Sequence, residues 1–289
     1  MLGETYPATE GDSVLYGVLF PGLILMSHPK SLFNITGFQY RNLKIRGFFM
    51  IEYSAGSVKA QGELLLPKGK GPFPTLILIP YWKGKDHVGR EYAKRIVSTY
   101  PWAVFLADYY GEGRTPKSAE EAGAWAGALF EDRQELRNRM KGAVEAAKKQ
   151  KEVDSNKVGA IGFCFGGLAA IELFKMGLPL KGVATFHATL GYKMGDKVGK
   201  KLPIAKGIKS SLLVMHGFLD PLVSLENRLE FEKEMKEADV DWQMHLFGRA
   251  SHAFTNPESN DPKGGLMYDR LTDERSFKMM GLFFSELFA

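Results

Sequence analysis

The hydrophobic pattern changes character near residue 45, and downstream of that point short apolar runs alternate with amphipathic stretches. Residues 47–53 and 58–66 predict two antiparallel strands joined across Ser54 to Ser57, with Pro67 to Pro74 as a polar turn. Thr75 to Ile79 is a continuous apolar run of the kind a central parallel strand presents on both faces. Residues 88–99 predict a helix, Ala103 to Ala107 the next parallel strand, and 132–149 a long Lys/Glu-rich helix. Val158, Ala160 and Ile161 predict a short buried strand that turns through glycines into an apolar helix ending at Met176. Strands at 182–187, 211–216 and 241–247 then alternate with helices at 223–238 and 272–288. Such alternation predicts an α/β fold with a mostly parallel central sheet covered by helices on both faces. In sheets of this kind ligands bind at the carboxyl ends of the strands.

No repeat or low-complexity linker interrupts residues 46–289, which are expected to form one domain. Residues 1–45 are set apart as an N-terminal extension. Within it, the apolar run at 13–26 is too short to span a bilayer and is broken by Gly17, Pro21 and Gly22. Glu4, Glu10 and Asp12 lie upstream without Lys or Arg, the wrong charge for a signal-peptide n-region. The run is therefore expected to pack on the domain or on a partner rather than to insert stably in a membrane, and a cytoplasmic location is the default.

Composition narrows the classes further. A chain of 289 residues with 45% hydrophobic content can bury a sizeable core. The net charge of +5 is spread through the sequence, which does not suggest a nucleic-acid partner. One cysteine excludes an intrachain disulfide and any multi-cysteine metal site, and the six histidines show no HExxH spacing. Neither a metal nor a cofactor is expected.

The chemistry concentrates on Gly162-Phe163-Cys164-Phe165-Gly166-Gly167. A side chain held at a tight strand-to-helix turn needs neighbours without Cβ atoms, and the following helix aims its N-terminal amides at the turn. Cys164 is thus either a nucleophile at an elbow or a buried cysteine in a glycine-rich turn. Its partners decide between the two. Asp220 follows the strand at 211–216 and His252 the strand at 241–247, giving the order nucleophile, acid, histidine associated with the α/β-hydrolase arrangement. His187 and His216 end apolar strands and are expected to satisfy backbone groups, with His187 able to border a pocket; His245, His28 and His87 do not compete with His252.

The elbow, the segment HGFLDPLV around Asp220 and the segment SHAFTNP around His252 resemble the dienelactone hydrolase family of α/β-hydrolases. Supporting stretches are Tyr81 to Gly84, Ala107-Asp108-Tyr109-Tyr110-Gly111-Glu112-Gly113, Glu237 to Trp242 and Gly264 to Tyr268; together the likeness covers residues 45–288. It implies a carboxymethylenebutenolidase-type hydrolase of a small carboxylic ester or lactone, working through an acyl-enzyme. Cys164 would attack the carbonyl, His252 would move the proton and Asp220 would orient His252. The oxyanion-hole amides of the family map to Phe165 and Trp82.

Two departures stand out. Tyr81 occupies a position where many relatives carry a glutamate that holds the resting thiol. The carboxylate-binding arginines of enzymes acting on dienelactone itself are also missing: Asn256 stands at one position, and Arg114 is the nearest candidate for the other. Dienelactone is therefore not the expected substrate. Trp82, Tyr109, Tyr110, Trp125, Phe163, Phe165 and Phe254 are read either as an aromatic pocket lining or as core. The lysines between 193 and 209 are read as a solvated loop, with attraction of an anionic ligand the lesser alternative. A thioesterase or peptidase-like hydrolase, or a redox-sensing or non-catalytic thiol protein on the same fold, are the competing functions.

Overall fold

A central sheet of eight strands organises residues 45–289, the part of the chain that the computed structural model describes. In chain order the elements are β1 (Ile45–Ala55), β2 (Val58–Pro67), β3 (Phe73–Ile79), α1 (His87–Thr99), β4 (Ala103–Leu106), α2 (Ala119–Glu131), α3 (Arg133–Lys148), β5 (Val153–Phe163), α4 (Phe165–Lys175) and β6 (Gly182–Phe186). A small ribbon of β7 (Lys193–Met194) and β8 (Lys197–Val198) follows, then β9 (Ser211–Gly217), α5 (Leu225–Glu237) and β10 (Trp242–Phe247). A second ribbon, β11 (Asn260–Asp261) with β12 (Leu266–Met267), precedes the terminal α6 (Arg270–Leu287).

The sheet order is β1-β2-β4-β3-β5-β6-β9-β10. The β1–β2 hairpin and the β2–β4 pairing are antiparallel, and every later pairing is parallel. Side chains along each central strand alternate between two cores, as a period of two requires. Leu76 and Leu78 join α1 and α6 on one face, whereas Ile77 and Ile79 join α2, α3, α4 and α5 on the other. This is the expected α/β architecture with a mostly parallel sheet. No helix among the described residues is long and apolar enough to cross a membrane. The N-terminal extension, including the run at 13–26, lies outside the described residues.

Several boundaries differ from the sequence expectation for identifiable reasons. The segment before α3 is itself a helix, α2, which Gly123 and Gly127 disguise by lowering helix propensity. Asp132 separates the two: its backbone leaves the helical region, and its side chain caps α3 by accepting from the Glu135 amide at 2.9 Å. β3 starts at Phe73, inside the expected turn, and β5 starts at Val153, because Phe73 pairs with Val153 at the sheet's start. α6 begins two residues early at Arg270, where Asp269 accepts from the Thr272 amide at 2.6 Å.

The helix that follows Cys164 is anchored by charge as well as by apolar contact. Glu172 on α4 is buried between Arg133 and Arg137 of α3, at 3.1 and 2.8 Å. Removing the carboxylate would leave two guanidiniums uncompensated in a site with little water. We predict that Glu172→Leu lowers the stability of the fold by about 3–5 kcal/mol, read as a shift in the denaturant midpoint; an unchanged midpoint would contradict the account.

Candidate active site

The turn between β5 and α4 places Cys164 at φ 53°, ψ −119°, a left-handed conformation that costs a non-glycine residue on the order of 1–3 kcal/mol. Surrounding contacts hold it there. The Cys164 amide donates to the Phe186 carbonyl at 3.1 Å, and the Cys164 carbonyl accepts from Gly167, Leu168 and Thr189. A Cβ on Gly162 would fall on the Gly166 carbonyl, one on Gly166 on the Pro80 carbonyl, and one on Gly167 on Ala188. These glycines let the first turn of α4 press against the ends of β3 and β5. Ile79 pairs with Gly162 at the end of the ladder, and the segments beyond them carry Trp82 and Phe165, both of which line the cavity at the strand ends. The Phe165 amide is among those a helix leaves without an intrahelical acceptor.

Asp220 and His252 meet from the loops after β9 and β10. His252 Nδ1 lies 2.7 Å from Asp220 Oδ2, and Asp220 Oδ1 accepts from the Leu222 amide at 2.9 Å. Both side chains are buried, and His252 Nε2 has no hydrogen-bond partner among the described residues. The β11–β12 ribbon fixes the histidine's backbone: His252 N donates to the Gly265 carbonyl, and Met267 N donates to the His252 carbonyl. The stretch around Gly264 to Tyr268, noted in the sequence only as a likeness, thus has a structural task.

A cavity of about 870 Å³ opens at the carboxyl ends of the strands and is lined by Cys164, His252, Tyr81, Trp82, Phe163, Phe165 and Asn256, all singled out from the sequence. Other candidate contacts lie elsewhere. Tyr109, Tyr110 and Phe254 are buried off the cavity, Phe254 edge-on to His187 at 5.0 Å. Arg114 lies over Trp125 at 5.1 Å, pairs with Glu112 on the surface and does not line the cavity. Among the lysines of the 193–209 segment only Lys193 lines the cavity; Lys197 and Lys201 pair with Glu131 and Glu234. The sequence did not single out Thr189, Met194 or Thr255, which also line the cavity, as does His187. His187 Nε2 is 2.8 Å from Thr255 Oγ1, whereas its Nδ1 is buried without a partner among the described residues.

Comparison with known proteins places this geometry. The model of the dienelactone hydrolase family matches residues 61–288. The chain belongs to the dienelactone hydrolase family. Among solved structures it is similar to the dienelactone hydrolase-like promiscuous phosphotriesterase P91 from metagenomic libraries, with 35% identity and a TM-score of 0.75 over 84% of this chain and 99% of that one. The structure named m3DLH gives 33% identity and a TM-score of 0.76 over the same shares. Protein usf of Aquifex pyrophilus is 24% identical over 82% of this chain and 97% of its own.

Electrostatics in this family member separate its three buried histidines. For His252, burial is the largest influence and disfavours the charged form, but the charge and hydrogen-bonding influence of Cys164 together with the hydrogen bond and charge of Asp220 outweigh it and raise the imidazole to about 10. His187 is pushed well below its ordinary value by burial and by the neighbouring His252. His216 is lowered to about 4, burial prevailing over the attraction of Asp220. Tyr81 is raised, by burial first and then by the carboxylate of Asp86 that its hydroxyl bonds, so its phenol stays neutral.

These shifts have opposite consequences for stability. His252 contributes stability that is complete below about 6.5 and is lost as pH climbs toward about 10. His187 and His216 remain neutral in the fold while the unfolded chain protonates them, so stability falls as pH drops below about 6.5, for His216 until about 4. We predict that the stability advantage of wild type over His216→Gln shrinks by about 1.4 kcal/mol per pH unit across that window. Urea unfolding at a series of pH values reads it; a constant difference would contradict the assignment.

Proposed function

We propose that the protein is a cofactor-independent hydrolase of uncharged carboxylic esters or lactones, acting through an acyl-enzyme on Cys164. What carries the proposal is the pairing of His252 Nδ1 with buried Asp220 at 2.7 Å, which leaves Nε2 unpartnered on the wall of the cavity that Cys164 also lines. A nucleophile, a base and a group that orients the base are the parts that acyl transfer requires.

In this mechanism the Cys164 thiolate adds to the carbonyl carbon, and the resulting oxyanion accepts hydrogen bonds from the Phe165 and Trp82 amides. Collapse expels the alkoxide, which takes the proton from the His252 imidazolium, leaving a thioester on Cys164. Neutral His252 then removes a proton from water as that water attacks the thioester. The second tetrahedral intermediate expels the thiolate, restoring the thiolate–imidazolium pair and releasing the carboxylic acid. Asp220 holds Nδ1 protonated throughout, which keeps Nε2 facing the reaction.

The substrate class is inferred from the wall. Phe163, Phe165, Met194 and Leu222 give the cavity apolar surface, and it is lined by the lysines Lys83 and Lys193 but by no arginine. A bidentate clamp for a carboxylate is absent among the described residues, favouring a neutral acyl group. Tyr81, neutral and bonded to Asp86, does not act as a base toward Cys164.

The test is steady-state hydrolysis of p-nitrophenyl esters of increasing chain length, aryl lactones, an acyl thioester, a peptide amide and a phosphotriester. Esters or lactones are expected to give the highest kcat/KM, with Cys164→Ala and His252→Ala each lowering it by about four orders of magnitude. On the alkaline side acylation is expected to fall as His252 loses its proton near pH 10. Undiminished hydrolysis by Cys164→Ala would overturn the mechanism.

A further inference from the structure

The segment Ala107 to Gly113 is far more tightly bonded than a connecting loop needs to be. The carboxylate of Asp108 accepts from the amides of Gln61, Gly111 and Gly113 at 2.9, 3.0 and 2.8 Å. Tyr53 brackets the same residue, its hydroxyl donating to the Asp108 carbonyl and accepting from the Asp108 amide, both at 3.0 Å. Arg139 Nη1 donates to the carbonyls of Tyr109 and Tyr110 at 2.9 and 3.3 Å. The backbone of two consecutive tyrosines is therefore fixed on all sides.

What those tyrosines do with that rigidity is specific. The Tyr109 hydroxyl donates to the Tyr81 carbonyl at 2.6 Å, and the Tyr110 hydroxyl donates to the Trp82 carbonyl at 2.5 Å. Tyr109 is only 1% exposed and Tyr110 3%, and neither lines the cavity. The Tyr81 carbonyl also accepts from the Gly84 amide at 2.8 Å. Two successive peptide carbonyls are thus each held by a phenol that lies off the cavity.

A trans peptide unit points its C=O and N–H in opposite directions. Holding the Tyr81 carbonyl sets the direction of the Trp82 N–H, because both belong to one planar unit. Holding the Trp82 carbonyl sets the next plane, so the two phenols together fix the backbone on both sides of the Trp82 Cα. The Trp82 amide has no acceptor among the described residues, and Trp82 lines the cavity beside Cys164.

We infer that Tyr109 and Tyr110 are positioning residues that aim the Trp82 amide at the developing oxyanion, Tyr109 directly and Tyr110 by fixing the following peptide. This rests on the acyl-transfer mechanism proposed above. It also explains why two aromatic side chains next to the strand ends do not touch the cavity. A preorganised donor is effective only where the oxyanion forms, so loosening it affects the transition state and leaves ground-state binding in place.

The experiment compares wild type with Tyr109→Phe and Tyr110→Phe, each of which keeps the ring and removes the hydroxyl. Tyr109→Phe is expected to lower kcat about 10- to 100-fold with KM unchanged, and Tyr110→Phe to lower it less. A carbon-13 carbonyl label in a slowly deacylating cinnamoyl ester gives an independent readout: the infrared stretch of the acyl-enzyme should rise toward that of a thioester in water in Tyr109→Phe. Loss of a phenol that served only packing would not move that frequency. Equal frequencies and equal kcat in wild type and both variants would overturn the positioning role while leaving the acyl-enzyme standing. Absence of any cysteinyl acyl-enzyme in wild type would overturn the mechanism and this inference together. Should Tyr109→Phe fail to fold, Tyr110→Phe carries the same readouts.

Discussion

The close approach of α4 to the ends of β3 and β5 is the constraint on which the site depends. Gly162, Gly166 and Gly167 permit a helix terminus to sit where any Cβ would strike backbone or Ala188. With the helix that close, the chain passes from β5 into α4 through a single residue in the left-handed region, Cys164 at φ 53°. Phe165, the first residue of that helix, and Trp82, in the loop after β3, both line the cavity beside Cys164. Strain at one residue is maintained by bonds from its neighbours: the Cys164 backbone is tied to β6 through Phe186, to the loop after β6 through Thr189 and to its own helix. The buried Glu172 pairs with Arg133 and Arg137 keep that helix from sliding.

Burial gives the polar residues their character. An imidazole taken out of water loses its proton unless charge opposes the loss, as His187 and His216 illustrate. His252 is equally buried but lies against Asp220 and near Cys164, and there the balance reverses. Three histidines in one neighbourhood are thus sorted by their partners rather than by their depth. The wall of the cavity has a further layer behind it: the ribbon that grips the His252 backbone, and the Asp108 loop that grips the carbonyls of Tyr81 and Trp82. Both layers hold backbone, which suits a mechanism whose anion is stabilised by amides.

Much of this was legible in the chain. The alternation of apolar runs with amphipathic stretches predicts the parallel sheet, since strands buried on both faces have to be continuously apolar. Cys164, Asp220 and His252 could be picked out because each lies just past a strand end with its own local sequence, and the structure brings Asp220 and His252 together while placing Cys164 and His252 on one cavity. Less legible were features decided by direction in space. Tyr109, Tyr110 and Phe254 stand next to the strand ends, but an aromatic residue at such a place points into the cavity or behind it according to loop bonds that no local pattern encodes. Arg114 was a candidate anion ligand by position, yet it lies off the cavity, over Trp125 and beside Glu112. The helix α2 was hidden by its glycines, and the two-residue ribbons are too short to carry a periodic signal.

The central claim is covalent catalysis by Cys164, and the most direct measurement is peptide-mapped mass spectrometry of an ester reaction quenched before steady state. The account predicts a stoichiometric adduct of acyl mass on the peptide carrying Cys164, absent from Cys164→Ala and disappearing as turnover proceeds. Turnover of the same ester with no acyl adduct at Cys164 at any quench time, or an adduct on another residue that tracks the rate, would contradict it.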